Sequence, residues 1–294
     1  MAADLLAAGR FSLRSDAGEA SSERDGEGTT EVGPTKIGLH LHSLRRPLKP
    51  ALEAAHRLKV AAIEVDARND LKPSELTQTG FRQLKKQLDD LRLTVCSVGF
   101  QTRRGYFTQD GLDARVKATK AAMDMAYQLG CNFVVNQVGQ IPPADSKDWA
   151  LLVEVLTDLA HYANRAGAWL AARTGSESGA DLKRLVEALP TGGIFVSLDP
   201  GALVMNKFSV EEVIEQVGLS IVHVYANDGV RDTSRGRGMQ VALGKGMVDF
   251  PQVMGMLAER DYRGWYVVER EQSETPEEEL AQSIRYLQNV AKDG

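Results

Sequence analysis

Cysteine, histidine and aromatic residues are all scarce in this chain of 294 residues, with Cys 2, His 5 and an aromatic share of 6%. Two thiols cannot staple a fold of this length, which excludes a disulfide scaffold. Cys96 and Cys131 each sit in an apolar run, LTVCSVGF and GCNFVVN, and are read as buried, reduced thiols of a cytoplasmic protein. No run approaches the roughly 18 to 20 uninterrupted apolar residues of a membrane span. The first apolar cluster, LLAAG, is too short for a signal-peptide core, so neither insertion nor export is expected. Basic excess is missing as well: the formal net charge is −5. Residues 1–34 hold seven acids and three bases, leaving 33 acids against 32 bases in the remainder and no electrostatic footprint for nucleic acid.

What is present divides in two. Residues 1–34, which end in SDAGEASSERDGEGTTEVGP, are rich in Ser, Gly and acids without hydrophobic periodicity and are expected to form a disordered acidic tail. Residues 35–294 are expected to form a single domain. There, short β-branched or apolar runs alternate with longer amphipathic segments, the pattern of a parallel sheet with crossover helices. The expected strands are 36–42, 60–66, 93–99, 132–138, 168–173, 194–199, 220–227 and 265–269. The expected helices are 48–59, 73–91, 110–129, 145–166, 178–189, 209–217, 249–259 and 276–292, with Pro50, Pro73, Pro251 and Pro276 in first turns, where a missing N–H costs nothing. Eight βα units in this length match an α/β fold of the (β/α)8 TIM-barrel type, typically about 250 residues. A doubly wound sheet would need a Gly-rich phosphate loop near the strand-order switch, and the first turn, SLRRPLKP, contains no glycine. LGKGMVDFP is too short and wrongly patterned for a nucleotide-binding P-loop.

Side chains of a barrel strand alternate between the interior and the helix layer. With Ile37, Leu39 and Leu41 facing the helices, His40 and His42 turn inward. Glu64 and Asp66 turn inward on the second strand by the same logic, followed by Asn136, Arg173, Ser197, Asp199, His223, Tyr225, Asn227 and Glu269. Most of these end their strands, at the face where barrel enzymes assemble sites. So many interior ionisable groups are costly unless they serve a ligand, and a site is expected there. Glu269 reads as a general base or metal ligand, or as an ion-pair partner of Arg173. Asp199, in SLDPG, reads as a ligand-binding group or a turn former. His40 and His42 could share a metal or simply be hydrogen-bonded. Asp228 lies in NDGVRD, where it reads as a site residue or part of a solvated loop, and Arg103 and Arg104 read as exposed.

The pieces SLDPG, IVHVYANDGVRD, AAIEVDAR and, most specifically, VALGKGMVDFPQVMGMLAERDYRGWYVVERE make the run from Lys36 onward resemble the sugar phosphate isomerase/epimerase superfamily, the xylose-isomerase-like TIM barrels that include endonuclease IV. The resemblance implies one divalent metal, manganese or magnesium, held at four strand ends by Glu, Asp, His and Glu, with the glutamates moving a proton between neighbouring carbons. Asp199 and Glu269 match two of these positions. LAARTG places Arg173 where a glutamate belongs, and HVYAND places Tyr225 where a histidine belongs. Ala202 stands where a further histidine is common, and Arg231 matches a substrate-binding arginine.

Two carboxylates beside a guanidinium that cannot deprotonate make a weak cation site, so no metal or other cofactor is expected; if one binds, Asp199 and Glu269 are its ligands. The expected function is metal-independent isomerisation or epimerisation, or a related lyase reaction, on a small polyhydroxylated or keto-sugar. Glu269 would be the base, Arg173 the stabiliser of an oxyanion or carboxylate, and Tyr225 the proton partner. Arg231, Asp199, Asp228, Glu64, His40, His42, Asn136 and Asn227 are the expected substrate contacts. The alternative is a non-catalytic sugar-binding or regulatory paralogue. DNA cleavage would need more histidines and a basic face. The partner expected is a carbohydrate, without nucleic acid or membrane; a homodimer stays open.

Overall fold

The computed structural model describes residues 35–232 and 238–293. The expected acidic tail, 1–34, lies outside the described residues. The eight expected strands all form: β1 Lys36–His40, β2 Ala62–Asp66, β3 Thr94–Gly99, β4 Phe133–Asn136, β5 Trp169–Arg173, β6 Phe195–Leu198, β7 Ile221–Ala226 and, after a small hairpin of β8 Asp228–Val230 and β9 Met239–Val241, β10 Trp265–Val268. They pair in parallel around a closed ring, β1-β2-β3-β4-β5-β6-β7-β10, with β10 returning to β1. The helices are α1 Leu48–Arg57, α2 Gln78–Asp90, α3 Leu112–Leu129, α4 Lys147–Ala166, α5 Gly179–Ala188, α6 Pro200–Met205, α7 Val210–Val217, α8 Phe250–Ala258 and α9 Pro276–Asp293. Among the described residues no helix is long and apolar enough to cross a membrane. Both thiols are unbridged, Cys131 buried and Cys96 half-buried.

Side-chain caps explain where several helices start. Thr77, Ser146, Ser178 and Ser209 each accept a backbone N–H of the first turn of α2, α4, α5 and α7. The Thr77 cap also divides the segment expected as one helix over 73–91: a short 3-10 turn at Pro73–Glu75 ends at an extended Leu76, and α2 begins anew. Unexpected from the sequence are α6, capped by the Asp199 carboxylate through the Ala202 N–H, and a 3-10 turn at Leu41–Leu44 that stops β1 at His40.

Most of the core lies between strands and helices, with Leu39, Ile63, Val98, Val134 and Val224 fully buried against the helical layer. Inside the barrel a smaller apolar group of Val135, Ala171, Phe195, Tyr225 and Val267 forms the lower plug. Above it, register sets polar side chains in neighbouring positions: His40 beside Glu64, Glu64 beside Ser97, Arg173 beside Ser197, and Ser197 beside His223.

Candidate functional site

Two ionic layers sit on the apolar plug. In the lower layer Glu64, fully buried, accepts the Tyr225 hydroxyl at 2.5 Å and the Ser97 hydroxyl at 2.6 Å, with His223 Nε2 3.2 Å away. His223 is held from its other side, Nδ1 lying 2.8 Å from Ser197 Oγ. Burial would raise the Glu64 carboxyl, but His223, His40 and Ser97 together outweigh it and hold it down at about 2. Burial, with Glu64 behind it, pushes the Tyr225 phenol well above its ordinary range.

The upper layer is built on Arg173, whose guanidinium lies 3.9 Å over the Tyr225 ring centroid. Its Nε donates to Asp199 Oδ2 at 2.7 Å, its Nη1 to Glu269 Oε1 at 3.0 Å and its Nη2 to Glu269 Oε2 at 2.6 Å. Nη2 is also 2.6 Å from Asp199 Oδ2. Asn227 Nδ2 adds a bond to Glu269 Oε2 at 3.0 Å, and Asn227 Oδ1 accepts the Gly201 N–H. Burial opposes the charge on Arg173, and the two carboxylates more than restore it. The guanidinium is shared unequally. Burial and the Glu269 charge push Asp199 up despite Arg173, whereas at Glu269 burial is outweighed by Arg173 and His40, which hold that carboxyl below the usual range. His40 bridges the layers, Nε2 3.8 Å from Glu64 Oε1 and Nδ1 3.9 Å from Glu269 Oε1.

Over this floor opens a cavity of about 390 Å³, within the size range of small-ligand sites. Arg173, Asp199 and Asn227 form its base, and the loops after β3, β4, β5 and β10 form its walls.

Residues 52–290 match the sequence profile of the xylose isomerase-like TIM barrel family. The chain belongs to that family. An inosose dehydratase of Histophilus somni is 24% identical over 245 residues, spanning 71% of this chain and 80% of the relative. A xylose isomerase domain protein from Planctomyces limnophilus superposes with a TM-score of 0.80 at 23% identity, covering 88% of this chain and 98% of that one. A D-psicose 3-epimerase solved in the presence of D-fructose superposes at 0.69 with 15% identity, covering 87% and 99%. The two superpositions confirm the fold of this xylose isomerase-like barrel.

The divalent metal that the family resemblance implies does not suit the residues present. The guanidinium nitrogens sit between the two carboxylates that match metal positions, within 2.6 to 3.0 Å of their oxygens. Among the described residues no three His, Cys, Asp or Glu side chains are grouped as a cation's ligands.

Several expected site residues of this xylose isomerase-like chain lie elsewhere. His42 follows the end of β1, so alternation no longer governs it; its side chain is 48% exposed and bonds Asp70 at the rim. Asn136 points away from the interior because Phe133 and Val135 take the inward positions of β4, and its Nδ2 instead donates to the Phe100 carbonyl. A parity slip of one residue reverses a strand's faces, and the next residue, Gln137, is the one that lines the cavity. Glu64 and Tyr225 are committed to each other beneath the floor. Asp66 caps its own turn, accepting the N–H groups of Arg68 and Asn69. Arg231 lies outside the cavity, its Nε 3.3 Å from the Val204 carbonyl.

Asp228 is a buried anchor rather than a ligand contact. It accepts four backbone N–H groups, from Gly229 and Gly246 at 2.8 Å, Gly244 at 3.0 Å and Val248 at 3.1 Å, and so folds LGKGMV around itself. Asp228→Ala is therefore expected to cost at least about 2 kcal/mol in urea denaturation, since several buried donors lose their acceptor. A loss below about 0.5 kcal/mol would contradict the anchoring role.

Arg103 and Arg104 are exposed as expected, yet both line the cavity wall, as do Phe107, Ser176, Glu177 and Glu271. These residues come from loops, which carry no periodicity from which a face could be read.

Proposed function

We propose that this barrel binds a small keto-sugar or cyclic keto-polyol at its carboxyl-terminal mouth and moves a proton on the carbon beside the carbonyl without a divalent metal. The observation that carries this reading is the Arg173 guanidinium fixed between Asp199 and Glu269, a protein-borne cation at the position where the family resemblance implies a metal. Similarity to an inosose dehydratase and to a D-psicose 3-epimerase supports the substrate class. Dehydration and epimerisation of such compounds both begin with removal of a proton next to a carbonyl.

Glu269 is the candidate base. Its depressed pKa keeps it ionised at neutral pH, and Oε1 accepts a single hydrogen bond, from Arg173 Nη1, with His40 beyond it at 3.9 Å. Most of the Arg173 fork is committed to the protein's own carboxylates, which leaves one Nη1 N–H for an oxygen of the ligand. Tyr225, expected as the proton partner, donates its hydroxyl to Glu64 and supports the guanidinium with its ring; His40, partly exposed beside Glu269, takes the proton-partner role. Non-catalytic sugar binding is the second reading, favoured by the fact that both Glu269 oxygens are already hydrogen-bonded.

Proton NMR in D2O with EDTA, using D-fructose and 2-keto-myo-inositol, tests both readings. Deuterium is expected to enter beside the carbonyl of at least one compound at a rate unaffected by EDTA, and Glu269→Gln is expected to slow it by about 100-fold or more. Exchange that vanishes with EDTA and returns with manganese would refute metal independence. Saturable binding with no exchange would establish the second reading.

A further inference from the structure

Among the described residues three arginines line the cavity: Arg103, Arg104 and Arg173. Arg173 is neutralised by Asp199 and Glu269, and Arg104 pairs with Asp110. Arg103 makes no ion pair or side-chain hydrogen bond among the described residues, although it stands in the wall of a site that also contains carboxylates.

Its loop is built rather than slack. Tyr106 N–H donates to the Val138 carbonyl at 3.0 Å, and the Thr102 hydroxyl donates to the Gln137 carbonyl. Thr108 Oγ1 donates to the Arg104 carbonyl at 3.1 Å, and Arg115 Nη1 to the Asp110 carbonyl at 2.8 Å. Gly105 (φ +61°) and Gly139 (φ +96°) cross with their backbones in contact: a Cβ on Gly105 would lie 2.6 Å from Gly139 Cα, and one on Gly139 2.9 Å from Gly105 Cα. This crossing pins the β3 loop to the loop after β4 and holds consecutive arginines at the cavity wall.

Glu271, in the same lining, makes no ion pair with Arg103 among the described residues; burial and then the Glu269 and Asp199 charges raise its pKa. A guanidinium fork in this setting matches a planar or tetrahedral oxyanion.

We infer that the ligand carries an anionic group, a phosphate ester or a carboxylate, which binds Arg103 with Arg104 beside it while the polyhydroxylated part lies over Arg173. The inference rests on the sugar reading above and narrows it to anionic sugars.

Calorimetry on the full chain with D-fructose, D-fructose 6-phosphate and 2-keto-D-gluconate decides it. At least one anionic sugar is expected to bind about tenfold more tightly than fructose, and which one does so identifies the anion. Arg103→Ala should erase that advantage while leaving the fructose affinity within about twofold, and Arg103→Lys should retain part of it. Arg103 is exposed, so the variant's thermal melt is expected to match wild type and separates a binding loss from misfolding. Equal affinity for charged and neutral sugars, or an advantage that survives Arg103→Ala, overturns the anionic subsite and leaves the sugar reading standing. Failure of all three compounds to bind overturns the sugar reading and the subsite with it.

Discussion

Arg173→Met is expected to lower the free energy of unfolding by about 3 to 5 kcal/mol at pH 7, because it leaves two buried carboxylates without their shared cation. Asp199 is fully buried and Glu269 nearly so, and the guanidinium they share is itself only 9% exposed, so water can replace little of the lost interaction. Arg173→Lys should recover part of this. An ammonium keeps the charge but cannot reach both carboxylates with separate, fixed donors.

Acidification should narrow the gap between Arg173→Met and wild type. Without the cation Glu269 rises above its unfolded-chain value and Asp199, already raised, moves further up, so the variant gains protons on folding and becomes relatively more stable as pH falls. Urea denaturation at pH 7 and pH 5 measures both effects. A variant within about 1 kcal/mol of wild type at pH 7 would mean that the ionic layer is hydrated and that Arg173 is no resident cation.

Glu64 supplies the second large effect. Its pKa falls from 4.5 to about 2 on folding, so at neutral pH it contributes about 3 kcal/mol of stability. The sign follows from proton uptake: below pH 4.5 the unfolded chain binds a proton that the folded chain refuses, so stability is present above that value and is lost as pH falls toward about 2. Glu64→Gln removes the titration. The difference in unfolding free energy between wild type and this variant should therefore be flat above about pH 5.5 and shrink by about 3 kcal/mol between pH 4.5 and 2. A difference that stays constant across that window would show that the Tyr225, Ser97 and His223 contacts do not favour the charged form. Glu64→Gln also loosens the base on which Arg173 stacks, because one amide oxygen cannot receive the Tyr225 and Ser97 hydroxyls that the two carboxylate oxygens receive separately.

Strand positions were legible because each barrel strand is buried on both faces and reads as a short apolar run between amphipathic segments. The inward direction of Glu64, Arg173, Asp199, His223 and Tyr225 was legible for a related reason: a charged or polar residue at every second position of such a run has one unoccupied direction, the barrel axis. At Asn136 this logic failed. Phe133 and Val135 are as apolar as Val134, so the alternation carried no polarity difference, and the inward face of β4 was set by packing against Ala171 and Phe195. At His42 it failed because β1 ends two residues earlier in a 3-10 turn.

The amino-acid sequence by itself determined the barrel and the set of strand-end polar groups, since periodicity and strand order are local properties that propagate along the chain; the pairing of Arg173 with both carboxylates stayed one reading among several until the tertiary structure decided it. Only the tertiary structure decided which groups a ligand can reach. Asp228 became a backbone anchor, Glu64 and Tyr225 became the support beneath the floor, and Arg103 and Glu271 entered the wall, because those assignments depend on distances between loops far apart in the chain, where no local pattern is imposed.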